Sequence, residues 1–154
     1  HLPLAQVDSL RCEEVLDKPL PEMHIRASIT ALRYANKTGS RLFVPVAPLR
    51  SGPGRFTAER RHDLWIDKGY CDTDSLTLHL PEGYVVEALP KSVTIENRFG
   101  KVAFEALCSG DRLHIRIRLL RRSGRYPQSE YAAFREFMQA VDRVYSAKIV
   151  LRKV

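Results

Sequence analysis

Hydrophobic and polar residues alternate with a period of two along most of the chain. In the segment 76–80, LTLHL, the leucines fall on one face of an extended backbone and the polar residues fall on the other. The same alternation recurs in residues 93–96, 102–108 and 113–119. Turn-forming Pro, Gly, Asn and Asp residues separate these segments. Strands with turn residues about every ten positions predict a mainly β fold, an antiparallel, immunoglobulin-like β-sandwich.

The first third of the chain follows the same pattern less regularly. Residues 5–16 are predicted as a strand, and residues 25–31 alternate before a turn predicted at 36–39. Residues 41–46 are predicted as the strand that returns from this turn. Residues 48–61 contain two prolines and two glycines, and they are predicted as a long loop.

The period changes after Pro127. Apolar residues now follow one another at steps of three and four, which is typical of one face of an amphipathic helix. They are Tyr131, Phe134, Phe137, Met138, Val141, Val144 and Tyr145. The sequence therefore predicts a helix over 127–144, with Pro127 in its first turn. A final strand over 147–151 closes a single β-sandwich domain spanning 1–154, with about eight to ten strands in all.

The excess of basic residues indicates a candidate interaction surface. The chain has 25 Lys and Arg residues against 18 Asp and Glu residues, a formal net charge of +7. Aromatic residues are not interleaved with the arginines as base-stacking platforms require, so solvated faces are favoured over nucleic-acid binding. The arginines that stand in the loop or on an outward strand face are Arg50, Arg55, Arg60, Arg61, Arg116 and Arg118.

The stretch GYCDTDSL at 69–76 raises the possibility of a catalytic thiol at Cys71. A thiol nucleophile needs a thiolate-stabilising position such as a helix N-terminus, a His that accepts the proton and an Asp or Asn that orients it. Period-two alternation follows Cys71, so no helix is predicted to begin there. His114 lies 43 residues further on, in a strand-like stretch, but the next Asp after it, Asp142, has no sequence reason to meet His114. The sequence therefore favours a strand position for Cys71 and a polar link at 72–74.

The sequence contains no signature of a metal or cofactor site. The three cysteines are scattered, and the histidines are accompanied by no HxH, HExxH or acidic cluster. Neither a metal nor a cofactor is predicted. Trp65 and Tyr70, close to the long loop, offer two alternatives: a sugar-stacking platform or, since Trp65 lies between Leu64 and Ile66, core packing.

No run of eighteen apolar residues is present, so no membrane span is predicted. The sequence starts at His1 with neither Met nor a basic-then-apolar leader. We expect a processed protein or a fragment of a longer polypeptide.

Three phrases occur in order: TDSLTLHLPEGYVVEALP, VTIENRFGKVAFEA and LHIRIRLLRRSGRYPQSEYAAFREFMQAVDRVYSAKIVL. They resemble the domain of unknown function at the C-terminal end of transglutaminase-like proteins, found mostly in Bacteroidetes. The shared motifs are the strand at 80–90, the Phe99-Gly100 hairpin, the helix at 126–137 and the strand at 147–153. The resemblance is specific over 62–154 and looser over 5–61.

This resemblance implies a non-catalytic accessory domain that packs on or positions an upstream transglutaminase- or cysteine-protease-like core of the same chain. That core would supply the Cys, His and Asp, and the parent protein would be periplasmic or on the cell surface. Two alternatives stay open. One is a binding module for envelope glycan or peptide, and the other is a self-contained cysteine enzyme.

Overall fold

The computed structural model describes residues 4–17, 19–48, 56 and 59–154. They form two compact units, His1–Tyr34 and Ala35–Val154. The first unit is an antiparallel pair of strands, β1 (Ala5–Val15) and β2 (Glu22–Ala31). The organisation of residues 1–154 as a single domain stays a prediction.

In the described part of the second unit there are ten strands and one α-helix. The strands are β3 (Asn36–Thr38), β4 (Arg41–Pro45), β5 (Leu64–Ile66), β6 (Tyr70–His79), β7 (Tyr84–Ala88), β8 (Val93–Asn97), β9 (Gly100–Ser109), β10 (Arg112–Arg121), β11 (Gly124–Tyr126) and β12 (Lys148–Lys153). They form two four-stranded sheets, β6-β10-β9-β8 and β3-β4-β12-β7, and the ribbon β11-β5. All pairs are antiparallel. The mainly β, sandwich-like fold with one C-terminal helix and a final strand is confirmed.

The sheet β6-β10-β9-β8 supplies much of the core. In β10 the alternate residues Leu113 to Leu119 are at most 2% exposed, whereas His114, Arg116 and Arg118 between them are exposed. Val102 and Phe104 of β9 face the same layer and are also buried. The period-two pattern therefore predicts the inward face of this sheet correctly.

The helix starts later than its sequence pattern predicts. Pro127 is extended, Gln128–Glu130 form a 3-10 turn, and α1 runs over Tyr131–Tyr145. The predicted apolar face is buried. Phe134 packs its ring edge-on against Phe99, with 5.5 Å between the ring centroids. The Arg98 guanidinium donates to the Glu130 carboxylate at 2.6 Å, which ties the start of the helix to the turn between β8 and β9.

Several predicted connections are wrong. Residues 36–38 form the strand β3 instead of a turn, and the turn follows at Gly39. The strand β4 pairs with β3 and β12, so it does not return along β2, which pairs with β1. Twelve strands are described instead of eight to ten, because β3, β5 and β11 are too short to show alternation.

The prediction that residues 72–74 form a polar link between strands is also wrong. Asp72 and Asp74 lie within β6, which pairs with β10 along all ten of its residues. Polar residues fit there because β6 is the outermost strand of its sheet and these positions are exposed. Their cross-strand partners, Leu119 and Ile117, belong to the buried face of β10.

The predicted loop at 48–61 falls mostly outside the described residues, as do Arg50 and Arg55. Its described members, Pro48, Phe56 and 59–61, belong to no helix or strand. Among the described residues, no helix has the length and apolar composition needed to cross a membrane.

Candidate interaction surface

Arg60 is held against the start of the helical region. Its Nε donates to the backbone oxygen of His62 at 3.1 Å, and its own backbone oxygen accepts from Nε2 of Gln128 at 2.7 Å. Its guanidinium carbon lies 5.7 Å from the ring centroid of Tyr131. Arg60 is therefore half-buried and fixed in position, whereas the neighbouring Arg61 is exposed.

Trp65 points into solvent. It is the central residue of β5, and its neighbours Leu64 and Ile66 are buried, so alternation places the indole on the opposite side. The indole is 73% exposed, and the interpretation of Trp65 as a core residue is wrong. Across the ribbon, Trp65 pairs with Arg125, whose Nε lies 3.3 Å from Oδ2 of Asp63.

These residues form one continuous region, which we name the arginine–tryptophan surface. It consists of Arg60, Arg61, His62, Asp63, Trp65 and Arg125. Two shallow cavities lie in it. One, of about 650 Å³, is lined by Arg60, Arg61 and the start of the helical region, and the other, of about 550 Å³, is lined by His62, Asp63, Trp65 and Arg125. The surface offers an apolar ring face beside cationic groups, which suits carboxylates and sugar rings.

Sequence patterns alone point to only part of this surface. Arg125 lies opposite Trp65 because β11 pairs with β5, a contact between residues 60 positions apart. Asp63 accepts from the backbone N–H of Gln128 at 3.3 Å and so joins the same region. Alternation shows which side of a strand is buried and not which strand lies beside it, so the pairing of β5 with β11 does not follow from the sequence pattern.

Arg116 and Arg118 belong to a second region, on the outward face of β10. With Arg112 and His114 they form the basic row, four exposed residues at every second position of the strand. On β6 the row is flanked by the small polar residues Ser75 and Thr73, and Nδ1 of His114 lies 3.2 Å from Oγ1 of Thr77. The structure therefore brings Arg60, Arg61 and Trp65 together but places Arg116 and Arg118 in a different sheet.

Acidic groups border the basic row. Glu96 of β8 lies 3.0 Å from Nζ of Lys101 and 3.0 Å from Nη2 of Arg122. Two hydrogen bonds hold the pKa of Glu96 below its ordinary value. The bond from Lys101 has the larger effect and the bond from Arg122 the smaller one. The single charge of Glu96 balances one of these two cations. A second carboxylate, Glu105 of β9, stands directly opposite Arg116, so acidic groups offset part of the positive charge on this face.

Tyr70 is not part of the arginine–tryptophan surface. It begins β6, is half-buried, and lies beneath the Arg121 guanidinium, whose carbon is 5.0 Å from the ring centroid. One ring face is thus already occupied by a cation.

Cys71 and His114 do not meet. Cys71 lies in β6 opposite Leu120, and His114 lies opposite Thr77. Six residues along a strand correspond to about 20 Å. Cys71 begins no helix, so two of the three features expected of a thiol nucleophile, a helix N-terminus and His114 within reach, are missing at this cysteine. In the described part of the chain, no group of three or more His, Cys, Asp or Glu residues could hold a metal ion.

Comparison with known proteins gives a family and a fold. Residues 40–151 match a family described as a domain of unknown function with solved structure, DUF3858. No curated protein matches the chain in sequence. The chain is similar to a crystal structure described as "a putative protease" from Parabacteroides distasonis, with a TM-score of 0.56 and 13% sequence identity. The similarity covers 64% of this chain and 19% of that protein.

Proposed function

The chain belongs to the DUF3858 family, and we propose that it is a non-catalytic accessory domain that packs on, or positions, a core of the same polypeptide. The observation that carries this proposal is the coverage of the structural neighbour. The similar fold makes up only 19% of a longer protein described as a protease candidate, so there it is one part of a larger whole.

The chemistry of the chain supports the same role. The one thiol with an enzyme-like sequence context, Cys71, lies about 20 Å along the strand from His114. We infer that the reactive groups belong to the core and that this core is transglutaminase- or cysteine-protease-like. On the family resemblance alone, we propose that the parent protein acts in the periplasm or at the cell surface.

An accessory domain needs a contact surface, and two regions of this chain are suited to it. The arginine–tryptophan surface offers fixed cations beside an exposed indole, and the basic row offers four aligned cationic or titratable groups. We infer that they meet an acidic surface of the core. Because each exposed ion pair contributes only about 0–1 kcal/mol, the association should be salt-sensitive and divided among several pairs.

The association of the separately expressed core with the 154-residue chain tests this surface. We expect the dissociation constant to rise several-fold from low to physiological salt. The double variant Arg60→Ala/Arg61→Ala should weaken binding by a further factor of about 3 to 10 at low salt, through loss of up to two exposed ion pairs. Arg116→Ala/Arg118→Ala should do the same. Isothermal titration calorimetry at three salt concentrations measures both effects.

A matched variant separates a specific interface from general charge. Lys91→Ala/Arg143→Ala also removes two positive charges, from exposed positions beside the end of α1. It should bind like the parent chain. If the control weakens binding as much as the arginine variants do, only net charge is at work. If none of the three changes binding, the interface lies elsewhere.

The exposed Trp65 favours a second candidate function, a binding module for envelope glycan or peptide. Its indole stands 73% exposed beside the cavity shared with His62, Asp63 and Arg125. Indole faces stack on sugar rings, and the flanking charged groups can bond hydroxyls.

In this second case, a glycan and peptide array should show reproducible ligands whose binding Trp65→Ala reduces at least about fivefold, since a stacked ring contributes on the order of 1 kcal/mol or more. Leu107→Ala is the matched control, because Leu107 is an exposed apolar residue, 66% accessible, on a different strand. Equal losses in both variants, or an array without ligands, would eliminate this candidate.

A further inference from the structure

A small apolar cavity lies between β8 and the last two turns of α1. Its volume is about 190 Å³. Val93 and Ile95 of β8 line it and are half-buried. The buried side chains of Phe104 in β9 and Val144 in α1 belong to the same wall. Because an apolar cavity of about 150 Å³ is large enough to hold benzene, this cavity can hold the side chain of a leucine or a phenylalanine.

Two cations stand at the rim of this cavity. Lys91 and Arg143 both line it and are exposed. Neither forms an ion pair with another residue in the part of the chain that the structure describes. None of the residues that line the cavity, all of them described, is acidic. The charge therefore suits a ligand that joins an apolar group to a carboxylate.

The free edge of β8 lies beside this cavity. β8 is the outermost strand of its sheet, and among the described strands only β9 pairs with Val93–Asn97. Val93 and Ile95 stand opposite the buried Phe104 and Val102, so their side chains lie on the core-facing side of the sheet. An extended peptide can add to such an edge through main-chain hydrogen bonds, and its alternate side chains then enter pockets on the same side.

The position of Lys91 favours one direction for such a peptide. Lys91 precedes the first residue of β8, Val93, by two positions. In an antiparallel addition the last residue of the peptide lies beside the first residues of β8, so its free carboxylate would be close to Lys91. A parallel strand would bring that carboxylate to Asn97, roughly 14 Å farther along β8.

We propose that β8 and the end of α1 form a binding site for the free C-terminus of a peptide whose last residue is apolar. The peptide adds antiparallel to β8, inserts its last side chain into the cavity and places its carboxylate against Lys91 and Arg143. The site shares no residue with the arginine–tryptophan surface or with the basic row. The inference therefore stands independently of the proposed function.

Titration of the 154-residue chain with the N-acetylated peptide TSTVL, followed by NMR of the backbone amides, tests the site. The acid form should bind and shift the amide signals of Val93–Asn97. The same peptide with a C-terminal amide should bind at least about fivefold more weakly, because a neutral group forms weaker bonds with the two cations. Replacing the last leucine by glycine should weaken binding at least about tenfold, since the cavity then stays unfilled.

Variants of the chain separate the contribution of the cavity from that of the charges. Ala147→Leu enlarges a half-buried side chain of the cavity wall and should weaken the acid peptide at least about tenfold. Lys91→Ala/Arg143→Ala should weaken the acid peptide at least about fivefold and leave the amide peptide unchanged. Gln139→Ala is the control, because Gln139 is exposed on α1 and does not line the cavity. An unchanged melting midpoint shows that each variant is folded.

Four outcomes overturn the inference. Acid and amide peptides bind equally well, or the acid peptide at about 1 mM leaves the amide signals of β8 unshifted. Folded Ala147→Leu binds the acid peptide as tightly as the parent chain, which would place the last side chain elsewhere. Binding of 4-methylpentanoate without binding of the peptide identifies a small carboxylic acid as the ligand instead.

Discussion

Phe134→Ala should lower the free energy of unfolding of Ala35–Val154 by about 3–5 kcal/mol, the usual cost of truncating a buried aromatic side chain. Phe134 is 4% exposed, and its ring meets those of Phe99, at 5.5 Å, and Phe56, at 5.7 Å. Truncation leaves a cavity between α1 and the turn that joins β8 to β9. Urea denaturation followed by far-ultraviolet circular dichroism measures the loss.

Gln139→Ala in the same helix is the matched control. Gln139 is exposed, so its loss should change the free energy by no more than about 0.5 kcal/mol. A cost below about 1 kcal/mol for Phe134→Ala would contradict the packing of α1 described above.

Gly100→Ala should cost about 3 kcal/mol or more, because the added methyl group collides with a neighbouring strand. A Cβ at Gly100 would lie 2.0 Å from the backbone oxygen of Leu120, and backbone cannot rotate away as a side chain can. The expected result is separation of β9 from β10 at this end of the sheet. A fall in the denaturation midpoint and faster amide exchange in 100–104 and 117–121 measure it.

Gly110→Ala is the control that separates the steric collision at Gly100 from the usual conformational cost of replacing a glycine. Gly110 has a positive φ of 60° and open space around it, so alanine there meets only backbone strain of about 1–2 kcal/mol. Gly100→Ala should be the more damaging substitution. The reverse order would mean that β9 and β10 lie farther apart near Leu120 than the structure places them.

The sequence predicts what is local to one element. Alternation identifies the inward leucines and isoleucines of β10, and three- and four-residue steps identify the buried side of α1, because burial repeats with the geometry of the element. The start of α1 is less well predicted, since Pro127 is compatible both with a helix start and with the extended residue that precedes it.

Contacts between distant residues are not predicted. Nothing in the local pattern assigns β12 to β4 or β11 to β5, since a strand's alternation shows its buried side and not its neighbour. The environment of Trp65 follows from such a pairing, and so does its exposure. Three apolar residues in a row fit a buried strand as well as a ribbon with one solvent face.

The two carboxylates of β6 have a consequence for the behaviour of the protein in solution. An outermost strand presents unpaired backbone groups, and a strand from another molecule can add to it and start aggregation. Asp72 and Asp74 pair with Leu119 and Ile117 of β10. They therefore lie on the same side of the sheet as the buried face of β10. A foreign strand that extended the apolar layer would have to bury both charges. We therefore expect Asp72 and Asp74 to oppose the addition of a foreign strand to this ten-residue edge.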